Sequence, residues 1–333
     1  MRVLNDLNTY ITLGILIALY VYSEPSAEYE WWIKVVDAVP GGGGENDDRF
    51  KFVILAQTVL ESAFWFLVIN LTLFERIGWL ERFRLQPVPE DAERKAKETD
   101  LTREAFVGVL VSHWIIRPAV FYFAWPYFEM RAGPLRSPIP SFRVLLPQIL
   151  GCMMIDDAWF YFWHRLFHAV PFLYRTIHKQ HHRFYRPNVF ATEYAHPIED
   201  LWVNSLGTIL GPMVLGVHPL LLIAYPAMKL YQSMEAHSGF NIPFPFSVTS
   251  IIDSMDCAPA HDFHHSHNVG NFGGWTMVLD WVFGTDTKYE NHVMVKMADK
   301  AAYETARRPY KHDRIGLVIK SSASSSTPRD KFE

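Results

Sequence analysis

The sequence predicts an all-α integral membrane protein, and three observations carry that prediction. Half of the 333 residues are hydrophobic and 15% are aromatic, a content gathered into long runs between charged stretches. Several of the runs have the length of a membrane-crossing helix. Histidines are grouped in boxes, HRLFH at 164–168, HKQHH at 178–182 and HDFHH at 261–265, whose spacing is that of one face of an α-helix.

The elements follow in chain order. The apolar stretch ending at Tyr22 reads as a span starting near Leu4. A signal peptide fits less well, because only Arg2 supplies positive charge before it and no clear small-residue cleavage site follows. The run GGGGENDDR at 41–49 reads as a flexible loop. It follows no strand and lacks the Lys-Ser/Thr of a phosphate-binding loop, so a nucleotide site is not indicated. Phe52 to Phe74 carries one acid, Glu61, in a run of span length. The loop 75–104 contains Arg76, Arg82, Arg84, Arg94, Lys95, Lys97 and Arg103, which places it in the cytoplasm. Ala105 to Phe128 is the next span, with Arg117-Pro118 expected to kink it or to lie where a cavity opens. Val144 to Trp163 is another, giving about four spans and returning the histidine boxes to the cytoplasm. Trp202 to Tyr231 is interrupted by Gly211-Pro212 and Gly216-Val217-His218-Pro219, so a helical hairpin fits better than one straight helix. A hairpin also returns the chain to one side, which a single site built from the second and third boxes requires. The serine-rich tail from Ser321 is expected to be disordered.

Composition excludes some classes. A net charge of −4 gives no basis for nucleic-acid binding. The two cysteines, Cys152 and Cys257, are far apart and form no Cys-x-x-Cys pair, so zinc ribbons, iron–sulfur clusters and a disulfide framework are not indicated.

The boxes carry the chemistry. His164 and His168 are i and i+4; His178, His181 and His182 are i, i+3 and i+4; His261, His264 and His265 repeat that pattern. Each box is expected to project its imidazoles in one direction. Converging, they present more nitrogens than one metal ion can use, and His237 in EAHSG is a further candidate ligand. Without metal, so many packed imidazoles would leave buried polar nitrogens unsatisfied at roughly 1–3 kcal/mol each. His113, His218, His267, His292 and His312 stand alone and read as ordinary histidines. Imidazole suits several metals, so ligand type does not decide among them. A pair of irons is favoured because a site at a membrane meets unactivated lipid C–H bonds, whose cleavage takes activated dioxygen. Asp157, Glu235 and Asp262 lie near the boxes as acceptors that could orient the ligands, or as helix caps or surface ion pairs.

The order DAWFYFWHRLFH, HKQHH, HDFHH, GNFGGW and DWVFGTD resembles the fatty acid hydroxylase and sterol desaturase superfamily over roughly 145–289. EYAHPIED around His196 and EAHSGF around His237 narrow the resemblance to the C-4 methylsterol monooxygenases. The resemblance implies a helical membrane stem under a cytosolic, histidine-rich cap in the endoplasmic reticulum. It divides the chain into an N-terminal membrane region (1–144), a di-iron domain (145–290) and a C-terminal cytosolic segment (291–333). It implies two irons held by His164, His168, His178, His181, His182, His237, His261, His264 and His265, and leaves His196 open as ligand, orienting group or substrate contact. It further implies oxidation of a sterol 4-methyl group with O2. No dinucleotide fingerprint or His-Pro-Gly-Gly haem motif is present, so electrons from NAD(P)H are expected through cytochrome b5 and its NADH-dependent reductase. Sterol C-5 desaturation and fatty-acid or sphingolipid hydroxylation use the same oxidant and are the alternatives. Metal transport or buffering is the alternative outside enzymes.

Overall fold

A computed structural model describes residues 7–22, 28–41, 43–242, 247 and 257–307. Among the described residues the structure is helical. Its one extended pairing is an isolated antiparallel bridge between Arg84 and Phe240. Residues 1–290 form one compact unit and 291–333 a second, of which the described part is helix. The expected tail from Ser321 and His312 lie outside the described residues.

Helix α1 (Leu7–Tyr22) has 16 residues, about 24 Å of helix, less than the ~30 Å of a bilayer core. Helix α2 (Glu28–Ala38) precedes α3 (Asp47–Arg76), which opens on Asp47 and Asp48 and closes on Arg76, charges that suit the two ends of its dipole. Asp91 caps α4 (Ala92–Val111) by accepting from the Arg94 amide at 2.9 Å. The helix runs on through a π-turn at Ser112–Ile116 into α5 (Arg117–Ala132). The expected disturbance at Arg117-Pro118 is therefore a widened turn just before the proline, where the register shift absorbs the missing amide.

Among the described helices, Asp47–Arg76 and the continuous Ala92–Ala132 are long and apolar enough to cross a membrane. Their outer faces are apolar. Phe66 and Ile69 are 60% exposed on the first, and Ile115 and Phe123 are 66% and 78% exposed on the second. Apolar surface displayed at this density calls for a non-aqueous neighbour. Helix α6 (Phe142–Ala169), expected to supply a further span at Val144–Trp163, does not meet that standard. It carries buried Asp156 and Asp157 and the first histidine box.

After α6 come the short α7 (Pro171–Thr176), two 3-10 turns at His178–Arg183 and Val189–Glu193, and α8 (Pro197–Glu199). A π-turn at Asp200–Ser205 leads into α9 (Leu206–Leu215). Gly216, at φ 58°, takes the left-handed conformation that ends α9. His218 then caps α10 (Pro219–Ala236), its Nδ1 accepting from the Leu220 amide at 3.1 Å. The interrupted stretch is thus two helices joined by a tight turn. Helix α9 packs on α6 through GTILG, whose Gly207 and Gly211 share one face. A Cβ on Gly211 would lie 2.7 Å from the Cα of Cys152, and one on Gly207 would lie 2.7 Å from Trp159. Phe52, Trp125, Phe128, Met213, Tyr225 and Trp275 form the core around this junction. The third box lies on α11 (Cys257–His267), followed by α12 (Val278–Phe283) and α13 (Thr287–Arg307).

Candidate metal centre

Nine histidines assemble at the end of α6. His164, His168, His178, His182 and His264 form one group, and His181, His237, His261 and His265 a second. Within each group, ring nitrogens that could bind metal lie within 4.8 Å of one another. The groups adjoin, with the rings of His182 and His265 4.9 Å apart.

Local structure explains the assembly and corrects the expectation that each box points one way. The first box occupies the last turns of α6, so i and i+4 put His164 and His168 together in the first group. The second box is a 3-10 turn, not α-helix. It sends His178 and His182 to the first group and His181 to the second. The third box is α-helical, yet it sends His264 to the first group and His261 and His265 to the second. Two boxes therefore straddle two positions. His237, just past the end of α10, completes the second group.

The inner nitrogens face one another. The Nε2–Nε2 separation is 2.9 Å for His168–His178, 3.0 Å for His178–His182 and 3.1 Å for His182–His264. In the second group it is 3.3 Å for His181–His237 and 2.8 Å for His237–His261. The outer nitrogens face acceptors. Nδ1 of His164, His181, His237, His264 and His265 lies 2.6–3.3 Å from the carbonyls of Phe272, Tyr194, Ser233, Gly270 and Phe184, respectively. Nδ1 of His178 lies 2.6 Å from Glu199 Oε1.

A carbonyl can only accept, so Nδ1 of His164, His181, His237, His264 and His265 carries the proton and each of these neutral rings turns a bare Nε2 lone pair inward. Burial holds His181 down at about 4, and burial with the neighbouring His181 holds His237 at about 3. Burial, reinforced by adjacent imidazoles, holds His178, His182, His261, His264 and His265 well below the ordinary histidine range. Unprotonated lone pairs about 3 Å apart repel unless a cation lies between them. Among the described residues, Nε2 of His164 and of His265 is buried with no hydrogen-bond partner. The donor set, its neutrality and these orphaned nitrogens fit two metal ions.

The sequence pattern of the fatty acid hydroxylase family matches residues 149–285, the stretch that holds all nine histidines. Methylsterol monooxygenase 1 of Gallus gallus is 32% identical over 251 residues, covering 74% of this chain and 80% of that protein. The chain belongs to the fatty acid hydroxylase family. Methylsterol monooxygenase 2-2 of Arabidopsis thaliana is 31% identical over 69% of this chain and 83% of its own length. Very-long-chain aldehyde decarbonylase GL1-11 of Oryza sativa subsp. japonica is 28% identical over 72% of this chain and 87% of its own. No solved structure gives a significant match.

The other expected site residues of this family member lie outside both groups. His196 caps α8, its Nδ1 accepting from the Ile198 amide at 3.2 Å. Asp262 accepts from Gln86 Nε2 at 3.0 Å. Glu235 is buried near Tyr231. Asp157 binds backbone amides of the 274–276 segment. Glu199, which residue spacing did not single out, touches a box histidine, its Oε1 2.6 Å from His178 Nδ1. Burial, with Asp200 beside it, pushes its carboxyl up to about 8, and Oε1 accepts from His178 whether or not Oε2 carries a proton. His113 lies outside the centre too, but it is not an ordinary lone histidine. It is fully buried, its Nδ1 2.8 Å from Glu61 and its Nε2 2.7 Å from Glu193. Arg117 pairs with Glu193 at 2.9 Å. The π-turn carries His113 and ends where Arg117 begins α5, so the widened turn presents this buried ionic cluster.

Proposed function

We propose that the protein is a membrane di-iron monooxygenase that oxidises the C-4 methyl group of sterol precursors. The observation that carries this reading is the pair of adjoining imidazole groups whose Nε2 atoms face one another. Similarity to methylsterol monooxygenases over most of the chain supports the substrate class.

His164, His168, His178, His182 and His264 would hold one iron, and His181, His237, His261 and His265 the other. Bound iron would supply the reductive activation of O2 that unactivated C–H bonds require. The first turn would convert R–CH3, O2, two electrons and two protons into R–CH2OH and water. The chain's contribution is to keep nine imidazoles neutral, aimed and out of bulk water. The electrons would come from NAD(P)H through cytochrome b5 and its NADH-dependent reductase. The two apolar helices support a membrane stem, with the histidine-bearing helices as a cytosolic cap in the endoplasmic reticulum and residues 145–290 as the di-iron domain.

The experiment is a sterol profile of cells lacking the protein, with NADH- and O2-dependent turnover by membranes containing it. Accumulation of 4-methyl or 4,4-dimethyl sterols is expected. Accumulation of sterols lacking only the 5,6 double bond would overturn the reading. The rice relative favours a second reading, a long-chain aldehyde substrate, for which the sterol profile would stay unchanged and long-chain aldehydes would accumulate.

A further inference from the structure

Residues 270–276, GNFGGWT, run between α11 and α12 as a strap with no regular structure of its own. Two of its carbonyls are the outer partners of box histidines. Phe272 O faces His164 Nδ1 at 3.1 Å, and Gly270 O faces His264 Nδ1 at 2.6 Å. Both histidines belong to the first group. The outer partners found for the second group, the carbonyls of Tyr194, Ser233 and Phe184, come from other parts of the chain.

Two buried carboxylates fix the strap. Asp157, on α6, accepts from the amides of Gly274, Trp275 and Thr276 at 3.0, 2.7 and 3.3 Å and from the Thr276 hydroxyl at 2.6 Å. Asp280, on α12, accepts from the amides of Phe272 and Gly273 at 2.8 Å each and from the Thr285 hydroxyl at 2.5 Å. Five consecutive amides, from Phe272 to Thr276, thus end on two carboxylates. Charge-assisted bonds of this kind are about twice as strong as neutral ones. At two of its glycines the strap has no room for a side chain. A Cβ on Gly270, at φ 60°, would stand 2.2 Å from Thr285 O, and one on Gly273 would stand 2.1 Å from Thr276 O. Asp157 lies seven residues before His164 on α6, two helical turns away, so one rigid element sets both the histidine and the strap that orients it.

We infer that Asp157 and Asp280 are positioning residues for one metal position only, the one formed by His164, His168, His178, His182 and His264, and that they act through the strap carbonyls on His164 and His264. The inference rests on the two-metal reading above. Neither carboxylate touches a box histidine. Removing either frees the amides it holds and loosens the strap, so the two imidazoles lose the fixed position of the acceptors that set tautomer and aim. The second position keeps all its outer partners.

The test is metal content of the full-length protein purified in detergent, measured per chain after competition with a chelator, with helicity followed by circular dichroism. Wild type is expected to hold two irons; another number would overturn the two-metal reading itself, apart from the strap. Asp157→Ala and Asp280→Ala should each weaken retention of one metal by about 10–100-fold and leave the other unchanged. Asp157→Asn, which keeps an acceptor for the three amides, should recover most of that loss. Combining Asp157→Ala with His168→Ala should still leave about one metal, because both act on one position; combining it with His237→Ala should leave none. Two metals retained as in wild type by Asp157→Ala, or both lost equally with helicity intact, would overturn the inference. Should the alanine variant not fold, the asparagine variant decides: any weakening must fall on one metal, and equal weakening of both overturns the assignment.

Discussion

His178 and Glu199 are joined Nδ1 to Oε1 at 2.6 Å, both buried. Most other outer contacts of the centre end on backbone carbonyls, which no substitution removes. Glu199 is a side chain and can be deleted. Glu199→Ala is expected to lower metal affinity about 10–100-fold, whereas Glu199→Gln, which retains Oε1 as acceptor, should lose far less. Chelator competition on the purified protein reads the difference; equal losses in the two variants would count against an orienting role.

Histidines inside and outside the groups should separate cleanly. His181→Ala removes a ring facing His237 at 3.3 Å and should abolish turnover while the protein still inserts in membranes. His267 stacks on Phe263 at 4.1 Å, outside both groups, and its alanine variant should keep near wild-type turnover. Full activity in the His181 variant would sink the ligand assignment.

The cluster of Glu61, His113, Arg117 and Glu193 ties the two apolar helices to the turn that precedes Tyr194, whose carbonyl faces His181. Burial alone would raise the Glu193 carboxyl, but Arg117 and His113 hold it down at about 2. Its folded value lies below its unfolded one, so its stabilisation is present above about pH 4.5 and is lost as pH falls toward 2. Arg117→Met leaves that carboxylate without its guanidinium and should cost on the order of 3–5 kcal/mol. Thermal unfolding at neutral pH measures it; an unshifted midpoint would refute the coupling.

Acid should release the metals before it unfolds the stem. Burial holds His181 at about 4 and His237 at about 3, against an ordinary value of 6.5. Between these limits the unfolded chain takes up protons that the folded site refuses, so stability falls as pH drops from 6.5 toward about 4. Protons also compete with metal for the Nε2 lone pairs. A pH titration of bound metal should show loss across this window, and metal bound undiminished at pH 4 would contradict it.

The α6–α9 junction should tolerate no side chain at Gly211. A Cβ there meets the Cα of Cys152 at 2.7 Å, and backbone cannot swing aside as a side chain can. Gly211→Val is expected to cost at least the 1–3 kcal/mol typical of overpacking and to reduce metal content, because α6 carries the first box. An unchanged unfolding midpoint would show that the helices separate freely.

The sequence by itself determined whatever depends on residue type and short-range periodicity. Apolar runs and Gly-Pro punctuation marked α3, the stretch Ala105 to Phe128 of the α4–α5 helix and the α9–α10 hairpin, whereas residues 92–104, read as loop, are the start of α4; the boxes named eight of the nine grouped histidines, with His237 added from EAHSG. Only the tertiary structure decided how those histidines divide. The second box folds as a 3-10 turn, and two boxes split between positions, because chain segments arriving from α6, α10 and α11 set the directions that helical spacing alone left open. It also decided what orients them. Tyr194, Ser233, Phe184, Gly270 and Phe272 act through main-chain carbonyls, which every residue possesses. No residue type announces such a partner, and only the folded path of the backbone brings it to a ring nitrogen.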